Sequence, residues 1–197
     1  MNEREPLCAR CAAQQQTCCQ CRDVYVTLQD VQRIGALAGR ADFWEFRVPR
    51  NPDYLDVGDD PLWLERVVRV DCSRRVLRQE PSGDCCFLGR AGCRLPLEAR
   101  PLVCRLHPLE YDERSIKSSL AGECPWHLLA PEQPKLSAIS LSQADAERWH
   151  RQLYDEIRQE PRWAGGHRRL LPESAAAAVR KPALLAMPPT SCENHLP

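Results

Sequence analysis

The sequence predicts an α+β fold: a small, irregular domain with a short hairpin and several helices. Three observations carry that prediction. Apolar residues recur with helical period at 28–38 and again at 146–157. Two β-favouring runs, Val67-Val68-Arg69-Val70 and Val76-Leu77, flank a polar five-residue link. The chain holds 12 Cys among 197 residues, most of them in two short blocks. Cysteines so crowded point to a fold organised by metal more than by a large apolar core.

Taken in order, residues 1–26 read as an irregular, ligand-bearing loop. Gln14-Gln15-Gln16 shows no apolar period, and Val24-Tyr25-Val26 reads as a short strand leading out. A helix is expected over 27–38. Thr27 is its N-cap, with Asp30 three residues on in a capping-box position, and Gly39 ends it. Leu28, Val31, Ile34 and Ala38 would share its packed face, laid over the cysteine-bearing loops. Phe43, Trp44 and Phe46 read as core aromatics. Asp53, Asp56, Asp59 and Asp60 read as a polar surface loop, because the spacing lacks the glycine and terminal Glu of a calcium loop.

Residues 64–79 are expected to form the hairpin, and Pro81-Ser82-Gly83-Asp84 a turn. Gly89 and Gly92 allow a tight loop between Cys85 and Cys93. Arg100-Pro101 marks a helix start, stopped by Pro108, which puts Cys104 in the first turn. There the partial positive charge of the helix end would favour thiolate. A strand is expected around Ile116 to Leu120, then a turn at Gly122-Glu123-Cys124-Pro125. Ser142 caps the strongest helix, 142–159, whose stripe is Ala146, Trp149, Leu153 and Ile157, with Pro161 beyond it. These readings give a cysteine-cluster domain at 1–130, a helical extension at 131–171 and a disordered tail at 172–197.

Composition narrows the function. Basic and acidic residues balance at 27 each, which argues against a general nucleic-acid or polybasic membrane binder. No apolar run approaches ~18 residues, so no transmembrane helix is expected. The charged start, Met1 to Pro6, lacks the apolar stretch of a secretory signal. A cytoplasmic location is therefore expected, where thiols stay reduced and clustered Cys hold metal or do redox chemistry. Cys8, Cys11, Cys18, Cys19 and Cys21 form the first block; Cys85, Cys86, Cys93 and Cys104 form the second, followed by Cys124. The C-x2-C pair Cys8 and Cys11 suits both tetrahedral zinc and iron–sulfur sites. The vicinal pair Cys18-Cys19 reaches one ion only with a bent backbone, and serves two neighbouring centres or a multi-metal cluster more naturally. Of Cys85 and Cys86, one is expected to ligate. Arg10, Arg22, Arg90, Arg94, Arg100 and Arg105 flank these blocks, where they would offset thiolate charge.

A C-x2-C pair, a Cys-Cys pair, a short strand and a Thr-Leu-x-Asp-Val-x-Arg-Ile helix, followed by Cys-Cys-Phe-Leu at 85–88, Arg-Pro-Leu-Val-Cys-Arg at 100–105 and Cys124-Pro125, resemble the YkgJ-type cysteine-cluster family. That family is described as a zinc- or iron-chelating domain. The resemblance spans about 8–125. It implies that Cys8, Cys11, Cys18, Cys19, Cys85, Cys93, Cys104 and Cys124 hold an iron–sulfur cluster or Zn2+. The chain departs from the pattern in a six-residue gap between Cys11 and Cys18, which leaves Cys21 as an alternative ligand. Cys86 stands in place of the usual Pro, and His107 in place of an aromatic residue. His107 is not inherited as a ligand, although imidazole is a normal zinc donor. The flagellin lysine N-methylases look like distant relatives, which implies the alternative of an iron–sulfur-dependent enzyme that modifies a protein partner. No G-x-G-x-x-G loop or C-x3-C-x2-C run supports that alternative independently.

Overall fold

A computed structural model describes residues 7–13, 18–20, 22–55, 60–121, 124, 126–128, 136, 139 and 141–163. The fold is α+β, with helices around three small antiparallel strand pairs. The expected tail beyond 172, with Cys192, lies outside the described residues, as does Cys21.

The chain opens with a correction. Helix α1 runs Leu7–Ala13, where an irregular loop is expected from the ligand spacing. Leu, Ala and Arg fill it, all strong helix formers, and buried Leu7 anchors it. Cys8 and Cys11 therefore sit three apart on a helix. Val24 to Val26 then pairs with the chain at 75–77, through Val26 N–H to the Arg75 carbonyl (3.1 Å) and Leu77 N–H to the Val24 carbonyl (2.9 Å).

Helix α2, Leu28–Ala38, has the expected ends: Thr27 and Asp30 form a reciprocal capping box, and Gly39 closes it in the left-handed region at φ 63°. Its buried residues are Asp30 and Ile34, whereas Leu28 is 46% exposed and off the packed face. Strand β1, Trp44–Arg47, pairs in register with β2, Arg74–Leu77 (Trp44 with Leu77, Arg47 with Arg74). The hairpin expected within 64–79 is thus replaced by a longer-range pairing. Residues 61–66 form helix α3 instead, Pro61–Arg66, capped by Asp60 with Pro in its first turn. The chain turns at 69–73, closed by Arg69 N–H to the Ser73 carbonyl at 2.8 Å, and not over the expected 71–75 link, because Arg74 and Arg75 belong to β2. Cys72 adopts φ 62° there.

Gly83 (φ 86°) makes the expected 81–84 turn. Strands β3, Leu88–Gly89, and β4, Gly92–Cys93, fold back on each other through Gly92 at φ 94°. Helix α4 is Leu102–Leu106, with Cys104 where expected and His107 at its end. Strands β5, Leu109–Tyr111, and β6, Ile116–Leu120, form the last pair. Helix α5, Gln143–Gln159, is capped by Ser142 and buries Ala146, Trp149, Leu153 and Ile157 as the stripe predicts.

Two cores result. The first joins α5 and α4 with Tyr25, Val67 and Leu109; the second gathers Val26, Ile34, Phe43, Leu77, Phe87 and Leu95 with Cys85 and Cys86. Each apolar side chain of this size contributes about 1.5–3 kcal/mol on full burial. Buried polar groups fasten the elements. The Asp30 carboxylate accepts from Thr27 N–H (3.1 Å), from Arg33 (2.6 Å) and from Leu102 N–H at the start of α4 (3.2 Å). Glu160, just past α5, accepts from Arg75 (2.6 Å) and from Leu28 N–H (2.8 Å). Among the described residues, no helix is long and apolar enough to cross a membrane.

Candidate metal centre

The functional candidate is one cavity of about 660 Å³ that borders both cores. Cys11, Cys18, Cys19, Cys85, Cys93, Cys104, Cys124 and His107 all line it. It therefore collects seven of the eight cysteines marked by the sequence. The side chain of the eighth, Cys8, lies outside what is described.

Five separate pieces of chain deliver these groups. Helix α1 packs against β4 and brings Cys11. The turn at 18–19 bends the backbone, so that both members of the vicinal pair face the cavity. That turn is tied to the second block by Cys85 N–H donating to the Cys19 carbonyl at 2.8 Å. The β3–β4 pair presents Cys93, and α4 presents Cys104. Asp30 sets the position of α4 through Leu102 N–H, so the capping box of α2 also places Cys104. Cys124 Sγ lies 3.6 Å from His107 Nε2.

The other cysteines are sorted by direction. Cys86 turns from the cavity, its Sγ 3.7 Å from the Phe43 carbonyl. Its thiol pKa is lowered by the hydrogen bond from Cys85, with Arg40 and Arg94 assisting, while that bond and burial push Cys85 up. Cys72 sits in the 69–73 link and does not line the cavity.

Electrostatics correct one expectation. Burial holds the Cys104 thiol well above its usual value, and the neighbouring Cys19 and Cys93 raise it further. Burial raises Cys93 too, with Arg100 and Arg94 opposing. The positive end of α4 does not win at Cys104, because a five-residue helix has little dipole and its first N–H is taken by Asp30. Several thiolates cannot coexist here without a cation among them.

The donor set fits a thiophilic metal in kind and number. Convergence is a separate matter: among the described residues, no three His, Cys, Asp or Glu side chains close on a single point as a ready ligand set. The thiols surround a volume, and metal binding here requires that volume to contract. Comparison with known proteins finds no matching family model, no matching curated protein and no matching solved structure.

Sequence reasoning missed the rest of the cavity lining. Tyr25, Tyr54, Trp63, Arg74 and Tyr111 line the cavity together with the thiols. A buried Arg in a run of four β residues carries no sequence signal of its own.

Proposed function

We propose that this is a metal-binding protein whose cavity thiols hold an iron–sulfur cluster or zinc. The observation that supports it is the gathering of seven cysteines from five chain segments, at least 80 residues apart in places, around one cavity. A lone buried Cys is ordinary packing; seven around a shared volume are not. One zinc takes four ligands. The surplus of thiols favours an iron–sulfur cluster, or two centres, over a single zinc. The resemblance of residues 8–125 to the YkgJ-type family supports the same reading.

The test is metal analysis with a visible spectrum on protein purified without oxygen. Brown protein with iron and acid-labile sulfide is expected. Colourless protein with zinc keeps the centre and changes its metal. Metal-free, folded protein overturns the reading. Cys104→Ser and Cys19→Ser should each lose metal, whereas Cys86→Ser and Cys72→Ser, whose thiols face elsewhere, should retain it.

A further inference from the structure

The part of the cavity lined by Arg74 and the aromatic residues has its own chemistry. Arg74 is 2% exposed and is one of the residues that line the cavity. One Nη donates to the Asp23 carbonyl at 2.7 Å, and Nε is buried without a hydrogen-bond partner. Among the described residues, no carboxylate stands within ion-pair distance of it. The Asp23 carboxylate is committed elsewhere, to Arg47 (2.6 Å) and to Arg50 N–H (2.8 Å). The other acids of this part are engaged as well: Asp60 accepts from Tyr154 Oη, and Asp112 pairs with Lys117 at 3.6 Å. A buried cation without a counter-ion is costly, and proteins pair or coordinate such charges.

The surroundings of Arg74 are aromatic. Its guanidinium carbon sits 4.1 Å over the Tyr54 ring, so one face is covered and the donors at the edge remain for a planar acceptor. Tyr25 and Trp63 pack together at 5.1 Å in the same wall. Tyr111 lies where the charges of both Cys104 and Arg74 reach its phenol, although burial acts on it more strongly.

We propose that this part of the cavity binds a small carboxylate with a flat apolar body, its anionic head against Arg74 and its body along the aromatic wall. The ligand is distinct from the metal, and its binding does not require the metal reading. If both hold, the carboxylate is the substrate or effector of the metal centre.

The test is calorimetric titration of the full chain, as purified and with metal content measured, using benzoate and its neutral isostere benzamide. Benzoate should bind at least about tenfold more tightly, the scale of a charge-assisted hydrogen bond. Arg74→Gln should abolish that preference, and Arg74→Lys should keep part of it. Should Arg74→Gln fail to fold, Val103→Phe narrows the cavity from α4 while leaving the bonds of Arg74 intact, and should weaken benzoate binding. Equal binding of the two probes overturns the proposal, as does inorganic phosphate displacing benzoate at equal affinity. Loss of metal from Arg74→Gln with the preference intact would assign the cation to the metal centre, and also overturns it. Metal-loaded protein that ignores benzoate sinks this proposal alone; metal-free protein that prefers benzoate sinks only the metal reading.

Discussion

At the scale of single residues, Asp30 does more than a capping residue ordinarily does. Its carboxylate closes the capping box of α2, holds Arg33 and receives the first N–H of α4. Burial raises its pKa, with Arg33 opposing, and full burial of an acid is tolerated only because each oxygen is engaged. Loss of a cap alone costs about 1 kcal/mol. Asp30→Ala also strands a buried N–H and part of a guanidinium, so a total of about 2–4 kcal/mol is expected. Urea unfolding measures that loss; if the cavity thiols hold metal as proposed, metal content measures a second effect, because α4 carries Cys104. A variant that loses stability but keeps full metal would show that α4 holds its place without Asp30. The sequence showed the capping box through Thr27 and Asp30. It gave no sign of the third acceptor role, since the N–H partner lies 72 residues away.

Helix α5 carries the argument at the scale of elements. Its stripe buries Trp149, Leu153 and Ile157 almost completely, yet the helix is fixed in direction by charge at its end. Glu160 meets Arg75 of β2 with 2% and 9% of the two side chains exposed, and also takes Leu28 N–H from α2. Just inside the helix, Glu156 meets Thr27 and Arg33. Removing one partner of a buried pair leaves a bare charge, at a cost of about 3–5 kcal/mol. Glu160→Ala should therefore destabilise by that amount, and Glu160→Gln by less because its amide oxygen still accepts; thermal or urea unfolding ranks the two, and equal effects would discount the charge. Elements with local signals were legible in the sequence: the caps of α2 and α5, the Pro-flanked α4, and the Gly92 and Gly83 turns. Pairings set by distant partners were not. Val67-Val68 has strand propensity, but α3 claims the chain before it, and β2 finds β1 nearly 30 residues upstream. The Asp60-Pro61 start of α3 carries a cap signal, masked by the acidic run in which Asp60 stands. Helix α1 is signalled only by the propensity of its Leu, Ala and Arg, against a cysteine spacing that suits a loop equally well.

For the whole molecule, the cavity borders both cores, and the decisive contrast is between one built on apolar helix faces and one whose members include thiols. The first core rests on α5 and α4, with Trp149, Leu153, Leu102 and Leu106 each at most 1% exposed. The second includes Cys85 and, at its edge, Cys19 and Cys93, so part of its packing is thiol that lines the cavity. The candidate site was legible in advance as a set of cysteines, because clustered Cys need little help from topology to be noticed. Its enclosure was not, since no local pattern tells which segments wrap a common volume. If metal binds the thiols, binding free energy becomes folding free energy there, while the first core has apolar burial of its own. Chelation should then act unevenly. Hydrogen exchange on metal-loaded and metal-stripped protein is expected to show faster exchange at 18–20 and 85–95 after stripping, with the middle of α5 protected in both. Regional opening of this kind is ordinary for segments with few buried apolar contacts. Uniform loss of protection would mean that the two cores fold as a single unit and that the metal holds both. No change at 85–95 would mean that the thiols line a cavity the fold maintains without metal.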